Sequence, residues 1–323
     1  SYPAYIALVL ICVRKAGTGC LEKYAYFTLL LLTGICLIEL QQSPYALQAL
    51  HFAGVFPYWR VRLLTMESSW TAMMIYVYSF IALYYGSRAR KKSVICSSVL
   101  CTGILVVFSD SKTLIMALAI VLVFYILFSF AHLNRKTQWK VMICFFVGIF
   151  GAIMMAPALI QSFQGDIKNY TSVATRSYTA LVGLVIGIVM PMGVGGAVYL
   201  GVFQRALRYF MFLFDKLPVK FNTSEIVSLA FAQTDAALTV KSGILQRNMY
   251  WGVLGTAYLF HNFILVSKGL RQNHVKNNIL LRSAFWGAVT LITFACELSF
   301  EFLLLYAYLL CLNEIAERGK NDS

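Results

Sequence analysis

Residues 161–250 are the stretch whose residue types are best suited to chemistry, because their cationic side chains outnumber their carboxylates. Lysine and arginine bind phosphate and other anions, and arginine can hold two phosphate oxygens at once. We therefore expect an anion-binding site in this stretch. Its basic residues include Arg176, Arg205, Arg208, Lys216, Lys220, Lys241 and Arg247, and its acidic residues are Asp166, Asp215, Glu225 and Asp235.

Arg176 is the leading candidate within this stretch. It lies in the polar segment 170–178, and the glycines Gly187, Gly193 and Gly195 follow it. An arginine followed by small residues can bring a guanidinium and backbone N–H groups to the same anion. The alternative is an interfacial helix whose arginine simply extends toward water.

A second candidate is the segment 59–70, which precedes an apolar run. Arg60 and Arg62 could bind a phosphate group there, and Glu67 could act as a base beside them. The alternative is interfacial anchoring by tryptophan, tyrosine and arginine side chains.

The short polar turn 109–113 separates two apolar runs and also allows two interpretations. Its serine and aspartate side chains can cap the start of the next helix. A helix N-terminus that carries hydroxyl groups and Lys112 can also bind an anion.

Carboxylates near membrane depth are costly and are therefore functional candidates. Glu297 and Glu301 lie near the turn that joins the last two apolar runs, and Glu39 lies near the end of the second. Each of them could instead pair with a basic residue.

The composition is typical of a polytopic membrane protein. Of the 323 residues, 60% are apolar and 12% are charged, and the mean hydropathy is +0.73. Soluble domains are about one quarter charged. The net charge of +14 could indicate nucleic-acid binding. On a membrane protein, however, anchoring basic residues explain it better, and we expect no nucleic-acid partner.

Nine membrane spans are predicted, and the basic residues between them are distributed unequally. One set of connections carries sixteen lysines and arginines, whereas the short connections on the other side carry Arg60, Arg62 and Lys112 alone. Since cytoplasmic loops are enriched in basic residues, residues 41–69 and 161–250 are expected outside the cytoplasm. A further span over 181–203 is the alternative, but it would break this bias. The predicted spans lie at about 1–13, 24–40, 70–86, 93–108, 113–131, 141–160, 251–267, 283–297 and 299–313.

Several classes of site have no sequence support. The four histidines do not cluster, no metal-ligand spacing or CxxC pair is visible, and no Walker loop or dinucleotide fingerprint occurs. We therefore predict no metal and no cofactor. The chain opens in apolar sequence without a methionine, so we expect a truncated N-terminus and one integral membrane domain over 1–323.

The order of these features resembles the Wzy-type O-antigen polymerase and O-antigen ligase superfamily of bacterial inner-membrane enzymes. Arg176 and Gly187 have the Arg-x10-Gly spacing described for the large loop of the polymerases. The ligase branch has a histidine near the end of that loop, whereas 241–250 has none, which favours polymerase. The second Arg-Gly motif of the polymerases has no clear match here. The resembling segments are 62–67, 109–113, 175–176, 191–195 and 251–258.

The resemblance implies an all-α, polytopic helical membrane protein with about nine or more transmembrane helices and a large periplasmic loop containing short interfacial helices. It implies metal-independent transfer of a growing glycan from undecaprenyl diphosphate to a sugar hydroxyl of a fresh lipid-linked repeat unit. Arg176 would neutralise the leaving group, and Glu67 or Asp235 would accept the proton. Further residues expected to bind the diphosphate or sugar are Arg60, Arg62, Lys112, Arg205, Arg208, Gly187, Gly193 and Gly195.

The implied partners are undecaprenyl-diphosphate-linked oligosaccharides, membrane lipid, and a chain-length regulator and flippase of the same pathway. An O-antigen ligase, a flippase or transporter of lipid-linked sugars, and a non-catalytic membrane scaffold are the alternatives. A transporter normally carries charges within its spans, whereas here they lie in one large external loop, which favours the enzyme.

Overall fold

The computed structural model describes residues 2–41, 61–63, 65, 68–109, 111–130, 138, 171–214, 223–231, 240–272 and 278–321. Within these residues the regular structure consists of eleven α-helices and no strand. The all-α prediction is therefore confirmed for the described part. The helices are α1 (Tyr2–Ala16), α2 (Thr18–Gln41), α3 (Ser68–Arg88), α4 (Lys92–Ser109), α5 (Lys112–Phe130), α6 (Thr171–Val189), α7 (Gly195–Phe214), α8 (Ser224–Ala230), α9 (Gly243–Gln272), α10 (Asn278–Phe294) and α11 (Phe300–Asn321).

Four helices are long and apolar enough to cross a membrane, namely α2, α4, α5 and α9. Many large apolar side chains on them face outward, such as Leu100 and Leu122, as expected of helices that contact lipid. These helices are consistent with a helical membrane protein. Eight of the nine predicted spans coincide with helices, while 141–160 lies outside the described residues. The count of nine spans stays a prediction.

The chain forms two compact units. The first comprises 1–128, 263–291 and 298–323. Within it α2 packs against α3 and α4, and α1 packs against α11. Glu22 of α2 is fully buried, accepts a hydrogen bond of 2.8 Å from the Tyr308 hydroxyl, and pairs with Arg88 at 2.8 Å. Since a buried carboxylate needs such partners, Glu22 links α2, α3 and α11.

The second unit comprises 129–262 and 292–297. Its core contains one stripe from α6, spaced every four residues, and a matching stripe from α7. This spacing places the apolar side chains on one face of each helix, so the two helices pack through those faces. The stripes consist of Ala174, Tyr178, Val182 and Ile186 on α6, and Tyr199, Phe203 and Leu207 on α7.

A turn at 190–194 separates α6 from α7. Pro191 disfavours helical backbone at Met190, and the Gly193 N–H donates to the Met190 carbonyl at 2.7 Å. Gly193 and Gly195 have φ values of 76° and 67°, which glycine adopts without strain. Helix therefore does not run continuously through 181–203. The expected location of this segment outside the cytoplasm, and the alternative of a further span, stay predictions.

Candidate functional site

The guanidinium of Arg176 lies at the C-terminal end of α10 within the second unit. Its Nη1 atom donates to the Ala295 carbonyl oxygen at 2.7 Å. A cation suits the C-terminus of a helix, so this contact also has a structural role. Arg176 is half-buried, and this contact uses one of its five N–H donors. The remaining donors have the right chemistry for an anionic ligand.

Lys241 and Glu297 form an ion pair beside this position. Lys241 Nζ lies 3.3 Å from Glu297 Oε1, and their side chains are 24% and 33% exposed. The Lys241 N–H donates to the Thr179 hydroxyl, one turn after Arg176 on α6. Ala295 and Glu297 are two residues apart, so the contacts of α6 and of Lys241 converge on one short segment. One carboxylate and two cations are thereby gathered in a partly exposed region.

The start of α9 is anchored to the same segment. Ser242 Oγ donates to the Ile292 carbonyl at 3.2 Å, and the Gly243 N–H donates to the Cys296 carbonyl at 2.9 Å. Free carbonyl groups at the end of α10 are thereby satisfied. The pairing of Glu297 with a basic residue of the large loop, one of the two predicted alternatives, is present.

Helix α8 connects the Arg176 region to Arg208. Thr175 donates to Glu225 Oε2 at 2.9 Å in the first turn of α8, and Arg208 Nε donates to the Ala230 carbonyl at 2.9 Å in the last. Arg208 also lies 4.8 Å from the ring centroid of Phe231, a cation–π contact. Arg208 therefore holds the end of α8, and both Arg208 and the neighbouring Arg205 are exposed.

The predicted glycines build a close backbone contact between the 190–194 turn and α9. At Gly252 the backbone of α9 is not helical, with φ 69° and ψ −173°. The Val194 N–H donates to the Met249 carbonyl at 3.0 Å. A β-carbon on Gly193 would overlap the Tyr250 carbonyl, and one on Gly252 would overlap the Pro191 carbonyl. We call residues 190–194 and 249–254 the glycine clasp.

Gly187 serves a similar purpose on α6. A β-carbon there would overlap the side-chain amide of Asn248, which donates to the Gly183 carbonyl at 3.0 Å. Thr256 in turn donates to Asn248 Oδ1 at 3.1 Å. Gly183 and Gly187, one turn apart, thus let α6 pack closely against Leu245 and Asn248 of α9. Among the predicted glycines, Gly187 and Gly193 allow the backbone to approach α9 closely. Gly195 has a positive φ that glycine adopts without strain.

An aromatic stack lies between α7 and α9. The Tyr199 ring centroid lies 4.6 Å from that of Tyr250 and 5.7 Å from that of Phe203. Burial, and then the neighbouring Tyr250, raise the pKa of Tyr199. Its phenol therefore stays protonated at neutral pH.

The first unit contains a second predicted cation, Arg62. The backbone N–H groups of Arg62 and Leu63 donate to the two carboxylate oxygens of Glu39, at 3.1 and 3.0 Å. Leu63 is fully buried with φ 51°, an unfavourable conformation for a residue with a side chain. The hydroxyls of Thr65 and Thr71 both donate to the Arg62 carbonyl. Glu39 therefore holds a strained turn that positions Arg62.

We expect Glu39→Gln to lower the stability of the protein by about 2 kcal/mol. Glutamine keeps one oxygen, but its NH₂ group cannot accept a hydrogen bond. One of the two backbone N–H donors therefore loses its partner. The measurement is thermal unfolding of the purified protein in detergent. Glu314→Gln is the matched control, because it breaks the exposed Arg14–Glu314 pair, and such pairs contribute little. Equal melting temperatures for Glu39→Gln and the wild type would contradict this assignment.

The turn before α5 is a helix cap. Ser111 precedes the first residue of α5, and its Oγ accepts a hydrogen bond from the Leu114 N–H at 3.4 Å. Ser109 belongs to α4 and donates to the Val106 carbonyl instead. The cap is therefore provided by Ser111 rather than Ser109. Asp110 and the side chain of Lys112 lie outside the described part of the chain.

Three of the predicted site residues, Arg60, Glu67 and Asp235, also lie outside the described residues. No group of three or more histidine, cysteine, aspartate or glutamate side chains that could hold a metal ion occurs in the described ranges. Sequence reasoning had not singled out Asn248, or Glu225 as a partner of Thr175. The four-residue spacing of Gly183 and Gly187 indicates that another helix packs closely on that face of α6. It does not identify α9 as that helix.

Comparison with protein-family models, with curated proteins and with solved structures found no match to this chain.

Proposed function

We propose that this chain is an O-antigen polymerase of the bacterial inner membrane. The observation that carries the proposal is the arrangement around Arg176, with Lys241 and Glu297 gathered at the end of α10. The leaving group of the reaction, undecaprenyl diphosphate, carries several negative charges. A half-buried guanidinium with further N–H donors, in the same region as the Lys241–Glu297 ion pair, can bind such an anionic group.

The proposed reaction breaks the bond between the anomeric carbon of the growing glycan and the diphosphate oxygen. A hydroxyl oxygen of the fresh lipid-linked repeat unit forms the new bond to that carbon. Arg176, helped by Lys241, neutralises the departing diphosphate. A carboxylate takes the proton from the attacking hydroxyl. Glu67 and Asp235 are the predicted bases, and Glu297 becomes a third candidate because it lies in the Arg176 region. The reaction needs no metal in this proposal.

A gene deletion distinguishes this function from its alternatives. Loss of a polymerase leaves single repeat units attached to the lipid A core, because export and ligation continue. Loss of a flippase or of a ligase leaves none. We expect single-unit lipopolysaccharide from the deletion strain, and restoration of long chains by the wild-type gene. A core without any repeat unit would rule out the polymerase function.

The proposed active face is periplasmic, which predicts the labelling of introduced cysteines. In a background without the native cysteines, Arg205→Cys should react with a membrane-impermeant maleimide in intact spheroplasts. Lys91→Cys, in the exposed turn between α3 and α4, should react only after permeabilisation. Both positions are exposed, so their reactivity reports the side of the membrane. The reverse labelling pattern would contradict the proposed topology.

A further inference from the structure

Arg282, near the start of α10 in the first unit, is held in a defined geometry. Its Nε donates to Ser267 Oγ at 3.3 Å, and its guanidinium carbon lies 4.3 Å from the ring centroid of Phe128. Trp286 Nε1 donates to the same Ser267 oxygen at 3.0 Å. Side chains of α5, α9 and α10 thus hold the guanidinium in place. A solvated surface arginine, in contrast, usually extends freely into water.

The charge of Arg282 is not balanced by a carboxylate among the described residues. Burial, and then the nearby positive charge of Arg271, lower the pKa of Arg282. A half-buried cation beside another cation needs an anion to offset this cost. Lys268, one turn before Arg271 on α9, is exposed and adds a third positive charge.

The surroundings of these cations are apolar and outward-facing. Leu127 and Tyr125 on α5 are 59% and 44% exposed, and Leu265 on α9 is 49% exposed. They lie within one turn of Phe128 or Ser267 on helices long and apolar enough to span a membrane. Basic side chains therefore lie next to exposed apolar side chains at the ends of α5 and α9. A molecule with an anionic headgroup and acyl chains can contact both.

We propose that Arg282, Arg271 and Lys268 bind the phosphate headgroup of an anionic phospholipid, while Phe128 and Ser267 orient the Arg282 guanidinium. The acyl chains of that lipid lie along the exposed apolar faces of α5 and α9. These ends of α5, α9 and α10 fall on the predicted cytoplasmic side, where anionic headgroups attract basic residues. The proposal does not depend on the proposed enzymatic function.

Native mass spectrometry of the full chain in detergent tests this site. The probes are dioleoyl phosphatidylglycerol, dioleoyl phosphatidylcholine of the same chain length, and inorganic phosphate. We expect the wild type to retain phosphatidylglycerol in preference to phosphatidylcholine, and Arg282→Gln to bind it on the order of tenfold more weakly. Arg318→Gln, which removes an exposed cation of α11, should bind it as the wild type does.

Three results would overturn the proposal. They are equal retention of the two lipids, unchanged phosphatidylglycerol binding by Arg282→Gln, and displacement of that lipid by millimolar inorganic phosphate, which would make free phosphate the ligand. If Arg282→Gln does not fold, Arg271→Gln decides, because Arg271 is exposed and its replacement leaves the packing intact. Unchanged binding by Arg271→Gln would then also overturn it.

Discussion

Replacing Arg176 by alanine should abolish long polymer chains while the protein remains in the membrane. The guanidinium is half-buried and contacts the carbonyl oxygen of Ala295, two residues from Glu297 and its partner Lys241. Loss of one charge-assisted contact in such a site costs on the order of 3 kcal/mol, or about a hundredfold in rate. The measurement is the lipopolysaccharide ladder of a complemented deletion strain, with the amount of membrane protein determined alongside.

Two further variants separate catalysis from packing at this position. Arg176→Lys keeps the charge but loses the planar fork, so it should restore only part of the chain length. Ser177→Ala removes an exposed neighbouring hydroxyl on α6 and should leave the ladder unchanged. If Arg176 serves only as a cap for α10, alanine should reduce the protein level and leave the length distribution normal. That outcome would move the site toward Arg205.

Gly252→Ala should strongly destabilise the second unit. A β-carbon there would overlap the Pro191 carbonyl, and φ is 69°, so the substitution combines a steric overlap with backbone strain. We expect a loss of roughly 3 kcal/mol or more, because backbone atoms on both sides of the glycine clasp must move. Gly193→Ala should behave in the same way, since its β-carbon would overlap the Tyr250 carbonyl.

Fluorescence-detected size-exclusion chromatography after a temperature series measures this loss. Gly196→Ala is the matched control, because its β-carbon meets no atom within 4 Å and its backbone is not left-handed. A monodisperse peak of wild-type stability from Gly252→Ala would show that α9 does not need the break at this residue.

The helices themselves could be predicted from the sequence because each local signal is contained within one element. Apolar runs of the right length indicated α2, α4 and α5. Four-residue spacing places the core stripes of α6 and α7 on single faces. Pro191 and the following glycines marked the irregular segment, and a proline disrupts a helix wherever its neighbours lie. Local chemistry determined these features.

The contacts of the candidate site could not be predicted in the same way. Arg176 and Ala295 are 119 positions apart, and Lys241 and Glu297 are 56 apart. No periodicity identifies a backbone carbonyl at a helix end as the acceptor for a distant arginine. Glu39 could be recognised as a costly carboxylate near the end of a span, but its two acceptor contacts depend on a strained turn at Leu63. Such pairings exist only after the helices have packed.

Extension of a glycan by the purified protein is the measurement that tests the proposed function most directly. The protein in detergent or proteoliposomes receives synthetic undecaprenyl-diphosphate-linked repeat units, and the products are separated on a gel. We predict a ladder of products spaced by one repeat unit, together with free undecaprenyl diphosphate. The ladder should form with EDTA present and should be missing with Arg176→Ala. Wild-type protein that is folded and leaves the repeat units unjoined would contradict the polymerase function.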